Sequence, residues 1–122
     1  METIANVVVG LIGALHVYIL VLEMFLWDKP AGLRAFGQTQ QAATASKVLA
    51  ANQGLYNGFL AAGLFWGLSL GAGGTGVKVF FLCCVLAAGL YGAATASRKI
   101  LFVQAVPAAI GLALVFLSRV PA

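Results

Sequence analysis

Long apolar runs alternate with short polar or glycine-rich segments along the chain. A helix that crosses a membrane needs about 20 predominantly apolar residues, and four stretches meet this requirement. They predict spans over about residues 4–27, 47–70, 77–96 and 100–117. The pattern therefore predicts an all-α fold: a single domain in which four membrane-spanning helices form an antiparallel bundle.

Three connections join the predicted spans, at residues 28–46, 71–76 and 97–99. In the first, Pro30 and Gly32 are expected to break the preceding helix, and the Gln-, Thr- and Ala-rich half is expected to form a short interfacial helix. The second connection contains four glycines and predicts a flexible turn. The third has only three residues and predicts a tight hairpin.

Basic residues are distributed unevenly between the two sides of the predicted bundle. Two of them, Lys78 and Arg119, lie on the side of the second connection and the termini. The side of the first and third connections holds Lys29, Arg34, Lys47, Arg98 and Lys99. Lys and Arg accumulate in cytoplasmic loops. This bias predicts a multi-pass protein of the cell inner membrane with residues 28–46 and 97–99 in the cytoplasm and both termini outside.

Composition narrows the classes of protein further. Apolar residues make up 62% of the 122 residues, and charged residues make up 8%, against about 25% in an ordinary soluble domain. So few charges cannot cover a water-soluble globule, which excludes a soluble enzyme and a disordered chain. The net charge of +4 then indicates membrane orientation and not nucleic-acid binding. The lipid bilayer is the expected partner, and no nucleic-acid partner is expected.

Polar side chains inside the apolar spans are the candidates for function, because such groups usually face the bundle interior or a water-filled cavity. His16 and Glu23 are seven residues apart and share one helix face. At about 1.5 Å per residue, Glu23 falls in one layer with polar groups of the other three spans, and His16 lies deeper. We expect a ligand-binding pocket, open to the cytoplasm, lined by His16, Glu23, Asn52, Gln53, Tyr56, Asn57, Tyr91 and Gln104.

Each candidate also has a structural interpretation. Amides hold transmembrane helices together at about 0.6 kcal/mol each, and tyrosines pack against neighbouring helices. Glu23 can extend toward Lys29 or Lys47 at the membrane surface, and a neutral His16 can bond to Asn57 or to a carbonyl group. The functional interpretation is that Glu23 and His16 take up and release protons, with donors to the Glu23 carboxylate coming from Asn52, Gln53 or Tyr91.

Metal and cofactor chemistry has little support in the sequence. His16 is the single histidine, so a site with several histidines cannot form within one chain. Cys83 and Cys84 are adjacent and lack the spacing of metal ligands. No nucleotide-binding, metalloprotease or serine-nucleophile motif occurs. We expect no metal and no cofactor, and no catalytic residue can be assigned.

Glycines recur at one-turn spacing on the predicted helices. Gly54 and Gly58 form a G-x-x-x-G step, as do Gly63 and Gly67. Such faces let helices approach closely, either within the bundle or in a homo-oligomer.

Two segments resemble the DUF1304 family of small integral membrane proteins. They are HVYILVLEMFLW at residues 16–27 and ANQGLYNGF at residues 51–59, and the resemblance extends to the region of Gln104 and Pro107. It implies a four-span protein of about this length and draws attention to the same polar residues. It implies no substrate.

Three functions remain open at this stage. The first is a membrane protein that binds or transports a small molecule through the polar pocket, coupled to protons; because the pathway is small, transport would need a homo-oligomer. The second is a membrane-embedded enzyme that uses Glu23 and His16 as an acid–base pair on a lipid-like substrate. The third is a structural or accessory subunit whose polar residues fix helix packing.

Overall fold

A computed structural model describes residues 1–119 as a helical protein. No strand occurs in this range, so the all-α prediction is confirmed. A 3-10 turn, Gly71–Gly74, and a π-helical turn, Leu101–Ala105, precede the last two helices. The five α-helices are α1 (Glu2–Met24), α2 (Pro30–Phe36), α3 (Gln40–Ser69), α4 (Thr75–Thr95) and α5 (Val106–Leu117).

Contacts divide the chain into two compact units. The terminal unit comprises residues 1–13 and the described residues from 62 onward. The central unit comprises residues 14–61. Helices α1 and α3 contribute residues to both units, whereas α2 belongs to the central unit and α4 and α5 belong to the terminal unit.

Four helical segments pack together in the terminal unit. Leu68 lies over Gly10 and Phe65 over Gly13, so the segments of α1 and α3 run antiparallel. Phe81 of α4 covers Gly63 of α3, which leaves no room for a larger residue at position 63. The largest fully buried side chains of this core are Val9, Leu64, Leu82, Val85 and Val115.

The π-helical turn lies where α5 begins. Pro107 has no backbone N–H, and its ring would collide with the carbonyl group one turn earlier in a regular α-helix. The Val106 N–H bonds to the carbonyl of Leu101, five residues earlier, and this wider turn accommodates the proline. This turn approaches α4 so closely that a β-carbon at Gly89 would lie 2.6 Å from the backbone nitrogen of Ala105.

The first connection differs from the sequence prediction. Pro30 does not only break the preceding helix; it is also the first residue of α2. Proline suits this position because it has no backbone N–H, and an N–H there would have no partner within the helix. Gly37 ends α2 in the left-handed conformation at φ 60°. The interfacial helix expected after Gly37 is wrong: those residues form the first turns of α3, where Thr39 Oγ1 accepts the Ala42 N–H at 3.1 Å.

The remaining connections are short. Residues 71–74, expected to be a flexible turn, form the 3-10 turn, with Gly74 buried against the carbonyl of Gly67. In the third connection the Ser97 hydroxyl accepts the Lys99 N–H at 3.2 Å and so caps the following helical turn.

Two helical segments are long and apolar enough to cross a membrane. They are Glu2–Met24 and Gly71–Thr95, with mean hydropathy of 2.3 and 2.0 over their most apolar windows. Leu101–Leu117 is apolar but shorter. Length and composition alone support membrane insertion of these segments.

Candidate functional site

The eight predicted site residues are divided between the two units. Tyr91 and Gln104 belong to the terminal unit, Tyr91 on α4 and Gln104 in the π-helical turn. The central unit holds the other six, which are His16, Glu23, Asn52, Gln53, Tyr56 and Asn57.

Among these six residues, a direct side-chain hydrogen bond joins Glu23 and Asn57. Glu23 lies in the last turn of α1 and is only 6% exposed. Asn57 Nδ2, on α3, donates a hydrogen bond to Glu23 Oε1 at 2.6 Å, and also to the Gln53 carbonyl at 3.2 Å. No basic residue in the described part of the chain pairs with the Glu23 carboxylate.

Glycines on α3 make this contact possible. A β-carbon at Gly54 would lie 3.1 Å from Glu23 Cβ and 2.6 Å from Met24 Cγ. A β-carbon at Gly58 would lie 2.6 Å from Leu20 Cδ1. The backbones therefore approach closely in the central unit, and two short side chains suffice to connect α1 with α3.

The donor to Glu23 is not one of those expected from the sequence. From depth alone, Glu23 is expected beside Asn52, Gln53 or Tyr91, with Asn57 beside His16. In the structure α3 is displaced by about one turn relative to α1, so Asn57 and not Gln53 bonds to Glu23.

The other predicted residues of the central unit differ widely in exposure. Asn52, Gln53 and Tyr56 are exposed, and Asn52 Nδ2 donates to the Val48 carbonyl of its own helix at 2.9 Å. His16 is fully buried, two turns before Glu23 along the same face of α1.

An open groove lies on the surface of the central unit, with a volume of about 350 Å³. Its walls are predominantly apolar, with one ammonium group and one amide. The lining residues are Met24, Lys47, Val48, Ala51, Asn52 and Leu55. Asn52 belongs to the predicted pocket, whereas Glu23 and His16 are not among the lining residues.

A polar cluster connects the chain after α1 with the start of α3. Asp28 and Lys47 form a salt bridge of 3.1 Å, and Trp27 Nε1 donates to Ser46 Oγ at 3.1 Å. The hydrogen bond from Lys47 is the main cause of a lowered pKa of Asp28. Asp28 therefore stays ionised, and Lys47 has a partner other than Glu23.

Sequence reasoning missed a second buried charge, in the terminal unit. Lys78 is 6% exposed, and its Nζ donates to Asn6 Oδ1 at 3.0 Å. Lys78 was counted only as a loop charge, and Asn6 was not considered. The available signal was that both are polar residues near the N-terminal ends of the first and third predicted spans, which run in the same direction.

Comparison with protein families places these residues in a known group. A family model described as a protein of unknown function, DUF1304, matches residues 10–116. The chain belongs to the DUF1304 family. The matched range contains all eight predicted site residues and Lys78, but not Asn6.

One relative of this DUF1304 protein comes from Lactococcus lactis subsp. lactis (strain IL1403). It is the uncharacterized protein YpaA, which is 30% identical over 105 residues, covering 84% of this chain and 88% of the relative. No solved structure gives a significant match.

Within residues 1–119, no group of three or more His, Cys, Asp or Glu residues is arranged to hold a metal ion. Cys83 is exposed and Cys84 is partly exposed, both as free thiols.

Proposed function

We propose that this chain is a multi-pass membrane protein that crosses the bilayer with α1, α3, α4 and the segment Leu101–Leu117. Support comes from the two long apolar segments and from large apolar side chains left exposed along the helices. Leu11, Phe80 and Phe102, for example, are each more than 60% exposed. Apolar patches of this extent are typical of membrane or protein interfaces.

The proposed orientation places the first and third connections on the cytoplasmic side of the inner membrane. It follows from the excess of basic residues on that side, five against two. Both termini then lie outside.

We further propose that Glu23 is a proton-exchanging residue in a small-molecule binding or transport site. The observation that carries this proposal is a buried carboxylate on an apolar helix, bonded to Asn57 of another helix at 2.6 Å with no cationic partner in the described residues. Ionisable groups inside membrane spans are costly and most often mark ion or substrate pathways.

The chemistry of the pair gives it two states. The ionised carboxylate receives a charge-assisted hydrogen bond from Asn57, which is stronger than a neutral one. A proton taken up by Glu23 removes that charge and weakens the bond between α1 and α3. Protonation would therefore loosen this contact, and a small molecule could then enter between the helices. His16, deeper on the same face, would serve as a second proton carrier.

Two measurements on reconstituted protein test this proposal. Infrared difference spectra across about pH 5 to 8 should contain a protonated-carboxyl band that is lost in Glu23→Gln and kept in Asp28→Asn. In proteoliposomes with an imposed proton gradient, labelled amino acids, amines and organic cations are tested for uptake. Uptake of at least one probe should be lost in Glu23→Gln and retained in Asp28→Asn.

The proposal fails if Glu23→Gln leaves both the infrared titration and all gradient-driven uptake unchanged. The Asp28→Asn variant is the matched control, because it removes the other carboxylate that is close to the end of α1.

A structural or accessory role is the second candidate, and one observation favours it. Glu23 bonds directly to Asn57 beside two tightly packed glycines, an arrangement that can serve helix packing alone. If this role is correct, Glu23→Gln will lower stability or disrupt assembly without any titrating band or gradient-driven uptake in the wild type.

A further inference from the structure

Lys78 and Asn6 form a second polar pair, in the terminal unit. Lys78 lies in the first turn of α4 and is 6% exposed. Its stem packs over Gly67 of α3, where a β-carbon would lie 2.7 Å from Lys78 Cγ. Its amine bonds to Asn6 of α1 at 3.0 Å. Residues of α1, α3 and α4 thus surround one ammonium group.

The charge of Lys78 is uncompensated within the described residues. No carboxylate there pairs with the amine. The N-terminal end of a helix carries partial positive charge, so α4 adds to the positive potential at its first turn. Burying an unpaired ion is unfavourable, and a bound anion would remove that penalty.

The orientation of Asn6 leaves hydrogen-bond donors available. A lysine ammonium has three donors and no acceptor, so Asn6 must present Oδ1 to it. The Asn6 Nδ2 group, with two N–H donors, then points away from that bond. In the described part of the chain the Lys78 amine makes one hydrogen bond. The pair therefore offers N–H donors from both the Lys78 ammonium and the Asn6 amide.

We propose that Lys78 and Asn6 bind a phosphate group, either on an anionic lipid or as free phosphate. Phosphate oxygens accept charge-assisted bonds from such donors. Lys78 lies three residues into α4, about 5 Å along the helix from its first residue, so in the proposed topology the pair lies near the membrane surface, where phosphate headgroups are. The inference goes beyond the proposed function, because neither residue takes part in the Glu23–Asn57 contact.

Native mass spectrometry of the full chain in neutral detergent tests the site. Phosphatidylglycerol and inorganic phosphate are added in separate arms, with phosphatidylcholine as the neutral reference. Lys78→Met and Asn6→Asp should each weaken phosphatidylglycerol binding by about tenfold or more, as expected when a charged hydrogen bond is lost. Arg119→Met, which removes an exposed positive charge from the same unit, should change it by less than about twofold.

Each outcome decides the proposal. If phosphatidylglycerol binds and inorganic phosphate does not compete, the ligand is a lipid headgroup. If inorganic phosphate competes, the ligand is the free anion. In either case binding should depend on Lys78. Equal phosphatidylglycerol binding by all four proteins would overturn the site. If Lys78→Met fails to fold, Asn6→Asp decides alone: it is nearly isosteric and supplies an internal counter-ion, so unchanged binding in that variant contradicts the proposal.

Discussion

Among the described residues, each of the two buried charged side chains, Glu23 and Lys78, forms a hydrogen bond with an asparagine. Asn57 donates an N–H to the carboxylate of Glu23, and Asn6 Oδ1 accepts an N–H from the ammonium of Lys78. An amide has donors and an acceptor but no charge of its own. It can therefore stabilise an anion or a cation in an apolar layer without adding a second ion.

Removal of the Asn57 amide should destabilise the protein. Asn57→Leu leaves the buried Glu23 carboxylate without its donor, and an unsatisfied buried group costs about 1–3 kcal/mol, more when it is charged. The free energy of unfolding in mixed micelles measures this loss. Asn52→Leu is the matched control: it removes an exposed amide that bonds only to its own helix, so it should stay within about 0.5 kcal/mol.

The same measurement in a Glu23→Gln background identifies the cause. Without a charge at position 23, Asn57→Leu should cost less than it does in the wild type. Equal costs in the two backgrounds would mean that Asn57 acts through packing alone.

The Asp28–Lys47 salt bridge should give stability a pH dependence. The Lys47 hydrogen bond lowers the pKa of Asp28 in the folded protein, so the folded state binds this proton more weakly than the unfolded state. The contribution is therefore complete above the ordinary Asp pKa of about 3.9 and is lost as the pH falls through the lowered value. It should also shrink with salt, because the Lys47 side chain is 57% exposed.

Unfolding of wild type and Asp28→Asn across this acidic range checks the sign. The wild type should be the more stable protein above the transition, and the two stabilities should converge below it. A difference that is constant with pH would contradict the role of the ion pair.

At the scale of elements, apolar runs predict where helices occur but not where they end. Local chemistry decides the ends: Pro30 and Gly37 define a helix that hydropathy does not reveal, and α1 stops at Met24. The register between α1 and α3 also differs from the prediction by about one turn, and it is set by the close packing of Gly54 and Gly58 against α1. Chain order made contacts between α1 and α3 predictable, since one connection joins them, but the register selects Asn57 as the partner of Glu23.

Packing explains the other differences between the structure and the sequence prediction. The π-helical turn depends on Pro107 and on the close approach of Ala105 to Gly89, and neither has a periodic signature in the sequence. The Lys78–Asn6 pair brings together residues 72 positions apart, so it depends on tertiary packing that composition and spacing do not specify.

The close approach of α4 to the π-helical turn predicts that the effect of a glycine substitution depends strongly on its position. Gly89→Ala places a β-carbon 2.6 Å from the Ala105 backbone nitrogen and 2.9 Å from its α-carbon, so the helices must separate, at about 1–3 kcal/mol. Gly76→Ala, on the same helix, meets nothing within 4 Å and should stabilise by about 0.4–1 kcal/mol. Unfolding in mixed micelles compares the two, and equal effects would contradict the close approach.

At the scale of the whole molecule, charge is confined to a few positions and apolar surface dominates. Lys78 is buried beside Asn6, so it does not act as a loop charge. Among the basic residues on the second-connection side, Arg119 is then the exposed one. Because the bias counts every Lys and Arg near the ends of the spans, the count stays at five against two, and the proposed orientation calls for a direct test.

Cysteine labelling tests that orientation on intact cells. Cys83 is exposed, so Cys83→Ala and Cys84→Ala provide the background. Gly73→Cys is suitable because a β-carbon there meets nothing within 4 Å, whereas Gly74 is closed by Gly67. An impermeant maleimide should label Gly73→Cys directly and exposed Gln41→Cys only after permeabilisation; the reverse pattern would overturn the orientation.

Charge variants then test whether the basic residues cause the orientation. Arg98→Gln with Lys99→Gln reduces the first side from five basic residues to three. Because orientation follows the Lys and Arg bias near the ends of the spans, this double variant should give mixed labelling of Gly73→Cys. Lys78→Met should leave labelling unchanged, because it raises the bias from five against two to five against one, in the favoured direction. If Lys78→Met shifted the labelling and the double variant did not, Lys78 would be the charge that sets the topology.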